Sequence, residues 1–382
     1  MNLQEAEFWS FFMKNPFLFY SEEEKTEYVT ALCSVNRGVI AYIPVKGLAD
    51  DIIGKSVNDV FSAGIIAQEI KALAKRRGVD ISAYTDKDLP KFLDDATYSN
   101  DIIQKNLADT VVRKFGNRLG VILLTLKQGH KLNREARADW DSVHWDYWAN
   151  IKTVILTGGL ASGLLGRRFK EQILYVFDMA GEKPYNINLY DNGSHLGVMG
   201  CATLLPEDCF GAAVLDFGQT NLKRSVIRKR KGDISEFIQL RTRPSLYMEL
   251  DTSNSEENHA RALELHKYLV KVVADTCREA MGSGELCSNV VISIANYTVG
   301  NRLFKDRGGY AKLFNLTDEY GSLLAHDVSS VLHREIKVRL VHDGTAIALN
   351  FTDREDTICL SMGTAFGVGF TDINLSSCPC NS

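Results

Sequence analysis

The feature that most constrains the fold is a short segment just past the middle of the chain. Residues 215–223 run Leu-Asp-Phe-Gly-Gln-Thr-Asn-Leu-Lys, directly after an apolar run that begins at Ala212. We predict a strand that ends in a tight hairpin. Glycine beside hydroxyl and amide side chains would let the backbone of this hairpin approach phosphate oxygens. The candidate binding residues of this hairpin are Asp216, Gly218, Thr220, Asn221 and Lys223.

Length and composition limit the function classes. A chain of 382 residues can bury a large core and is expected to form two domains. A net charge of −4 gives no case for a nucleic-acid partner, and no stretch reaches the ~20 apolar residues of a transmembrane helix. The acidic N-terminus is unlike a secretory signal, and the eight scattered cysteines indicate reduced thiols. We therefore expect a cytoplasmic protein without a membrane partner.

Strand and helix signals alternate along the chain, which predicts an α/β fold. We predict helices over 1–30, 56–128 and 256–280, the last begun by a capping box of Ser253 and Glu256. Trp140, Trp145 and Trp148 among charged residues suggest an insertion or a partner surface. The predicted strands are 38–45, 152–156, 212–216, 224–228, 235–240, 289–295, 337–341 and 357–361.

A second segment places a carboxylate at the end of a strand. Residues 338–349 run Val-Arg-Leu-Val-His-Asp-Gly-Thr-Ala-Ile-Ala-Leu, so an apolar run stops at Asp343 and a helix of small residues follows. A carboxylate at the carboxyl end of a strand in an α/β sheet is well placed to act as a general base. The alternative is that Asp343 only caps the helix that follows it.

Two further glycine-rich turns follow strand-like runs. Residues 360–370, Leu-Ser-Met-Gly-Thr-Ala-Phe-Gly-Val-Gly-Phe, predict a second phosphate-binding hairpin. Residues 154–162, Val-Ile-Leu-Thr-Gly-Gly-Leu-Ala-Ser, predict a turn into a helix whose N-terminus favours an anion. Ordinary β-turns and strand-to-helix turns remain the alternative for both. The candidate binding residues are Gly158, Gly159, Gly363, Thr364 and Gly367.

Together these segments resemble the motifs of ROK- and glucokinase-type sugar kinases of the actin/hexokinase/Hsp70 superfamily. In chain order they are similar to the adenosine motif, the closing small-residue helix, the first phosphate loop, the catalytic aspartate segment and the second phosphate loop. These lie at 157–162, 194–204, 216–223, 342–349 and 363–369. This is the family's order of motifs if that order is joined into a circle and opened after the second phosphate loop. The resemblance implies a circularly permuted α/β protein of two ribonuclease-H-like (actin-like) domains flanking a nucleotide cleft.

The resemblance also implies an activity, the ATP-dependent phosphorylation of a sugar hydroxyl on a hexose or amino sugar. By that match ATP and Mg2+ are the cofactors, Asp343 takes the hydroxyl proton, and Asp216 holds Mg2+ through water. His342 replaces the family's sugar-contacting asparagine, and Asn296 and Thr298 lie in a segment similar to its sugar-binding loop. The expected partners are a sugar and a nucleotide, and a homodimer stays open.

The same resemblance divides the chain into parts. It implies an adenosine-binding domain of 38–209 plus 355–382 and a sugar-binding catalytic domain of 210–354. Residues 1–37 have no counterpart in the family, and we predict that they form an N-terminal helical extension. The last strands, 357–372, are then expected to pair beside the strand near 38–45. Two other functions stay open. The first is a catalytically impaired sugar or nucleotide sensor, which is favoured by Gln219 at a position where the family prefers glycine. The second is another phosphotransferase of the superfamily.

Overall fold

The structure of the protein is a computed structural model that describes residues 15–190, 193–282, 286–305 and 308–375. The predicted α/β class is confirmed. The described residues form two compact units, of which unit 1 comprises 15–17, 32–194 and 354–368. Unit 2 comprises 18–31, 195–353 and 369–375.

Helices and strands alternate through both units. The helices are α1 (Val57–Val60), α2 (Ala63–Arg77), α3 (Leu89–Tyr98), α4 (Ile102–Gln128), α5 (Lys131–Glu135), α6 (Ser142–Asn150), α7 (Gly163–Met179), α8 (Leu196–Thr203), α9 (Ser255–Gly282), α10 (Tyr320–Leu332) and α11 (Asp343–Ala348). The strands are β1 (Leu18–Ser21), β2 (Thr26–Val29), β3 (Thr153–Thr157), β4 (Asn186–Leu189), β5 (Cys209–Phe217), β6 (Asn221–Arg230), β7 (Asp233–Pro244), β8 (Asn289–Ile294), β9 (Thr298–Val299), β10 (Arg302–Leu303), β11 (Lys337–His342), β12 (Thr357–Met362) and β13 (Phe366–Phe370).

Unit 2 is built on a five-stranded sheet in the order β11-β8-β5-β6-β7. β5, β6 and β7 form an antiparallel meander, whose second turn is made by Lys231 and Gly232, both at positive φ. β5, β8 and β11 run parallel. The chain leaves β5 toward β6 but leaves β8 toward β11, so the carboxyl ends of β5 and β8 form a switch point. In α/β sheets, ligands bind at such points.

The alternating side chains of β5 fill two apolar layers. Leu215 and Phe217 belong to the cluster that includes Leu269 of α9 and Leu324 of α10. Val214 faces the other way, into a cluster with residues of α8 and α11. The sheet is therefore covered on both faces, as expected for a sheet with parallel strands.

Unit 1 contains a four-stranded sheet in the order β13-β12-β3-β4, in which β12, β3 and β4 run parallel. The long helix α4 packs against α7 through two glycines. A Cβ atom at Gly116 would lie 2.5 Å from the Cβ of Gln172, and one at Gly120 would lie 2.8 Å from the Cβ of Val176. Side chains at these two positions would force the helices apart, so the close packing depends on glycine.

The N-terminal predictions are wrong over the described residues. Instead of the helix over 1–30, and of the helical extension over 1–37, β1 and β2 form an antiparallel hairpin. Tyr28 of this hairpin stacks on Phe304 at a ring-centroid distance of 5.8 Å, and Glu23 pairs with Arg302. These contacts link segments far apart in sequence, which local periodicity does not show. The remainder of the predicted helix, residues 1–14, lies outside the described residues.

The strand predicted over 38–45 is also absent from the described structure. That segment is irregular and makes one isolated bridge, between Val39 and Ser56. Its backbone is held instead by Asn133, whose Oδ1 accepts the N–H groups of Ala41 and Tyr42 at 2.9 and 2.8 Å. The expected partner of the last strands is therefore replaced: β12 pairs with β3.

The other strand predictions, from 152–156 to 357–361, are confirmed, as are the helices over 56–128 and 256–280. The capping residue of α9 is different, because the backbone N–H groups of Glu256 and Glu257 donate to Oδ1 of Asn254 rather than to Ser253. The helices of the described residues are too short or too polar to cross a bilayer.

The three tryptophans do not form a partner surface. Trp140, Trp145 and Trp148 are 5%, 4% and 0% exposed. Phe17 packs edge-on against Trp140 at a centroid distance of 5.1 Å, and Trp140 stacks on Trp148. Asp141 and Asp146 are exposed, whereas Arg137 is buried over the Trp140 ring at 4.4 Å, and the three tryptophans lie in the core of unit 1. The segment Cys378-Pro379-Cys380 lies outside the described residues.

Candidate functional site

The site in unit 2 starts from Asp216, near the carboxyl end of β5. Its register partners are Ser293 on β8 and Lys223 on β6. The Ser293 hydroxyl donates to Oδ1 of Asp216 at 2.9 Å, and Nζ of Lys223 donates to Oδ2 at 2.7 Å. Asp216 is 8% exposed, so its carboxylate is buried with both oxygens bonded and its charge balanced by the ammonium group.

Asp343 follows β11 directly and is the first residue of α11. Because β5, β8 and β11 are parallel, its carboxylate lies at the same edge of the sheet as Asp216. Burial and the negative charge of Asp216 raise the pKa of Asp343 to about 7, although Lys223 and the N–H of Gly344 oppose the shift. A carboxyl group with a pKa near neutrality can both accept and release a proton at physiological pH.

His342 is buried beside Asp343 rather than directed to solvent. Its Nδ1 accepts the N–H of Thr345 at 3.2 Å, and its ring stacks on Tyr297 at a centroid distance of 4.8 Å. Burial lowers the pKa of His342 to about 3, so the ring is neutral at physiological pH. With Nδ1 as acceptor, the ring proton is on Nε2, which lies 3.2 Å from Oδ1 of Asp343. The ring therefore positions the Asp343 carboxylate.

The turn after β5 is tied to the rest of unit 2 through its backbone. The carbonyl of Gly218 accepts from the hydroxyls of Ser245 and Tyr310 at 2.6 and 3.0 Å. Gln219 donates from Nε2 to the carbonyl of Ala295 at 3.3 Å. The glutamine side chain thus crosses to the loop after β8. This cross-link explains how the turn tolerates glutamine where the resemblance expects glycine.

The remaining predicted residues of that turn frame its tip. The Gly218 N–H donates to the Asn221 carbonyl at 3.1 Å, and the Thr220 carbonyl accepts the Ser245 N–H at 3.0 Å. The Asn221 side chain is exposed, and Thr220 is half-buried. Hydrogen bonds therefore hold the backbone at both ends of the turn, and the tip presents polar groups to solvent.

The small residues of α8 let it pass directly under this site. A Cβ atom at Gly200 would overlap the carbonyl oxygen of Ala346 in α11, and one at Gly197 would lie 3.4 Å from Cγ of Asp216. The small residues of α8 therefore allow it to pack closely against α11. Gly200 fixes the distance between α8 and the helix that begins at Asp343.

The predicted sugar-contacting residues are buried in the loop after β8. Asn296 donates from Nδ2 to the carbonyl of Phe304 at 3.2 Å, and its Oδ1 accepts the N–H of Tyr297 at 2.8 Å. Thr298 is 7% exposed and pairs with Leu303 in the β9–β10 hairpin. The Asn296 amide therefore holds the loop in shape, and its role toward a substrate stays a prediction.

In unit 1 the turn after β3 depends on one glycine. Gly158 has a φ of +90°, and a Cβ atom there would overlap the carbonyl oxygen of Met362 at the end of β12. The N–H of Leu160 donates to that same carbonyl at 3.2 Å. Gly159 is exposed, and a Cβ atom there would meet no atom within 4 Å. Of the two predicted glycines, only Gly158 is required by the backbone.

The hairpin between β12 and β13 is held at its base and open at its tip. The Gly363 carbonyl accepts the N–H of Ala63 at 2.8 Å, and Asn36 exchanges two hydrogen bonds with the Phe366 backbone at 2.7 and 2.9 Å. Thr364 is exposed at the tip, and Gly367 is half-buried in β13. Phosphate-binding hairpins need an accessible tip on a fixed base.

A carboxylate that the sequence analysis missed occupies the N-terminus of α7. Asp94 of α3 lies there, with hydrogen bonds from the backbone N–H groups of Leu165 and Leu164. Burial raises the pKa of Asp94 and these donors oppose the shift. The anion predicted at this helix end is therefore a side chain of the protein itself. No local signal marks it, because Asp94 comes from a distant helix.

The predicted residues fall into two groups. Unit 2 brings together Asp216, Gly218, Thr220, Asn221, Lys223, Asn296, Thr298, His342 and Asp343. Unit 1 holds Gly158, Gly159, Gly363, Thr364 and Gly367. Ser293 was missed, although a serine near the end of an apolar strand is a usable signal.

The donors around Asp216 do not fit a directly coordinated Mg2+. The Lys223 ammonium nitrogen lies 2.7 Å from Oδ2, where its positive charge repels a cation, and the Ser293 hydroxyl donates to Oδ1. Within the described ranges, His, Cys, Asp and Glu side chains form no cluster of three or more that could hold a metal. The expected contact through water stays a prediction.

Comparison with known proteins leaves the family open. No protein-family model and no curated protein matches the sequence. Among solved structures, the ethanolamine utilization protein EutJ from Carboxydothermus hydrogenoformans is 14% identical over 60% of this chain and 74% of that chain, with a TM-score of 0.28. An exopolyphosphatase-like protein is 11% identical over 60% of this chain and 86% of that one, with a TM-score of 0.27. TM-scores this low carry no argument about fold or function.

Proposed function

We propose that the protein is an ATP-dependent phosphotransferase that acts on an alcohol, most specifically a sugar hydroxyl, with Asp343 as the general base. The observation that carries the proposal is the pair of carboxylates at the carboxyl ends of β5 and β11, which flank β8 in the unit 2 sheet. Asp216 is paired with Lys223, while Asp343 has no Lys or Arg partner among the described residues and has a pKa of about 7. Such a division of two acids into one fixed charge and one proton acceptor is typical of acid–base catalysis.

The proposed step uses the residues in distinct ways. Asp343 accepts the proton of the attacking hydroxyl, and His342 fixes the orientation of its carboxylate through Nε2. The 218–221 turn offers backbone and side-chain groups to phosphate oxygens, and Lys223 brings positive charge to the same edge of the sheet. Phosphoryl transfer depends mainly on positioning and charge neutralisation. No step is assigned to a metal.

The nucleotide-binding part of the proposal rests on unit 1. We assign the adenosine contact to Gly158 and Gly159, and phosphate contacts to Gly363, Thr364 and Gly367. The open tip of the β12–β13 hairpin and the backbone of the Gly158 turn support this assignment. The motif order along the chain supports a circular permutation of the sugar-kinase arrangement, which belongs to the same proposal.

The test is the turnover of Asp343→Asn in an ADP-release assay against a panel of sugars. Loss of a general base typically costs ~10²–10⁴-fold in rate, while binding of a fluorescent ATP analogue should persist. Asp353→Asn is the matched control, because Asp353 is exposed and outside the site. Unchanged turnover in Asp343→Asn would remove Asp343 from the role of base.

A second candidate, a nucleotide or sugar sensor without catalysis, is favoured by Gln219. A glutamine replaces the glycine that the family prefers in this phosphate loop, and its side chain donates to the Ala295 carbonyl at 3.3 Å. If the wild-type protein binds nucleotide but releases no ADP with any sugar, the sensor function replaces the kinase. Release of ADP with carboxylic-acid acceptors only would indicate another phosphotransferase of the superfamily.

A further inference from the structure

Two cysteines of unit 2 lie side by side at the amino ends of the parallel strands. Cys209 is the first residue of β5, and Cys287 lies just before β8. Cys287 packs against the apolar cluster that contains Cys209, and the N–H of Cys287 donates to the carbonyl of Gly211 at 2.9 Å. The six described cysteines are all free thiols. The backbone hydrogen bond holds the segment before β8 beside the start of β5 independently of the side chains.

The two thiols have different surroundings. Cys209 is 1% exposed inside an apolar cluster, whereas Cys287 is half-buried at its edge. The Cys287 sulfur accepts from Nδ2 of Asn289 at 3.6 Å. The guanidinium of Arg334 is held nearby, since it donates to the Leu286 carbonyl at 2.6 Å. One thiol is thus accessible and flanked by hydrogen-bond donors and a positive charge, and the other is sheltered behind it.

These surroundings separate the acidities of the two groups. The hydrogen bond from Cys209, with smaller effects from Asn289 and Arg334, lowers the pKa of Cys287 to about 6. The same hydrogen bond and burial raise the pKa of Cys209. The lowered pKa of Cys287 favours its thiolate, which is the nucleophilic form of cysteine.

We propose that Cys287 is an oxidation site for hydroperoxides and that Cys209 is its resolving cysteine. The Cys287 thiolate attacks one oxygen of the hydroperoxide, the O–O bond breaks, and an alkoxide or hydroxide leaves. The sulfur becomes a sulfenic acid and loses two electrons to the hydroperoxide. The Cys209 thiol then attacks that sulfur, water leaves, and a Cys209–Cys287 disulfide forms. An accessible thiolate beside a resolving thiol is the arrangement of redox-sensing cysteines.

Three of the other described thiols lack these features. Cys201, Cys277 and Cys359 are buried, and burial raises the pKa of Cys277 and of Cys359 to about 12. They serve as internal references in the same protein.

The first experiment treats the full chain with hydrogen peroxide under native conditions, followed by alkylation and peptide mapping. We expect one disulfide among the described cysteines, Cys209–Cys287, which a dithiol reductant reverses. In Cys209→Ser the sulfenic acid at Cys287 should persist and be trapped by dimedone, whereas Cys287→Ser should give neither product. Cys277→Ser is the control and should form the disulfide as the wild type does. Random disulfides, or dimedone labelling equal at all thiols, would overturn the proposal.

The second experiment measures the rate of iodoacetamide labelling at Cys287 against pH. The rate should level off above about pH 6, whereas an ordinary thiol keeps gaining reactivity up to about pH 8.5. In Cys209→Ala the midpoint should move up toward the ordinary value, because alanine cannot donate the hydrogen bond to Cys287. A midpoint near 8.5 in the wild type, unchanged in the variant, would refute the assigned roles. Both experiments read thiol chemistry alone, so they succeed or fail independently of the proposed phosphotransferase activity.

Discussion

The substitution Asp343→Asn tests the electrostatics of the site through stability as well as activity. Asparagine keeps the shape of the side chain and the oxygen that accepts the Gly344 N–H, and it removes only the charge. In the folded protein the charged form of Asp343 is disfavoured, so its pKa lies above that of the unfolded chain. The wild type therefore loses stability as the pH rises between these two values, and the variant does not.

The magnitude follows from the size of the shift. A rise from 3.8 to about 7 corresponds to a ceiling of about 4 kcal/mol, at about 1.4 kcal/mol per pKa unit. However, the Asp343 side chain is 33% exposed, and solvent screening reduces such interactions, so we expect about 2 kcal/mol. Asp343→Asn should match the wild type near pH 4 and exceed its stability by about 2 kcal/mol above pH 7.

The assay is urea unfolding followed by far-UV circular dichroism at a series of pH values between about 4 and 8. Fluorescence is a poorer probe here, because Trp140, Trp145 and Trp148 all lie in unit 1. Hydrogen exchange of peptides covering β11 and α11 gives a local measure of the same effect in unit 2. Titrating groups that do not interact with Asp343 cancel in the difference between variant and wild type.

Asp353→Asn provides the matched control, since it removes an exposed carboxylate ten residues further along the same unit. Its stability difference from the wild type should stay constant over the pH series. If the difference for Asp343→Asn were equally flat, or if that variant were less stable above pH 7, the buried-acid reasoning would be refuted. A stabilised but inactive variant would show that the site trades stability for function.

Three further changes probe other parts of the two units. Gly158→Ala should lower the free energy of unfolding by about 2–4 kcal/mol, because it combines a strained φ with overlap on a carbonyl oxygen. Gly159→Ala should change it little, and tryptophan fluorescence during urea unfolding measures both variants. Gly200→Ala should destabilise unit 2 by about 1–3 kcal/mol despite its better helix propensity, and faster amide exchange in α8 and α11 would show it. Lys223→Met should raise the pKa of Asp343 further, so the pH dependence of turnover, or of stability, should move to higher pH.

The sequence by itself determined the central strands and the position of the two carboxylates. Apolar runs that stop at Asp216 and Asp343 predict strand ends, and parallel strands put their carboxyl ends at one edge. These signals are local, because the alternation of side chains and the turn residues lie within a few positions of each other. The same holds for Gly158, whose turn follows directly from its strand.

The tertiary structure alone decided what surrounds those carboxylates. Nothing near Asp343 in the sequence shows that Asp216 raises its pKa, or that Lys223 is already paired. The N-terminal hairpin and the burial of the tryptophans likewise depend on partners about a hundred or more residues away. Local propensity carries no information about such partners, since the free energy of these contacts comes from burial and pairing that exist only once the chain has folded.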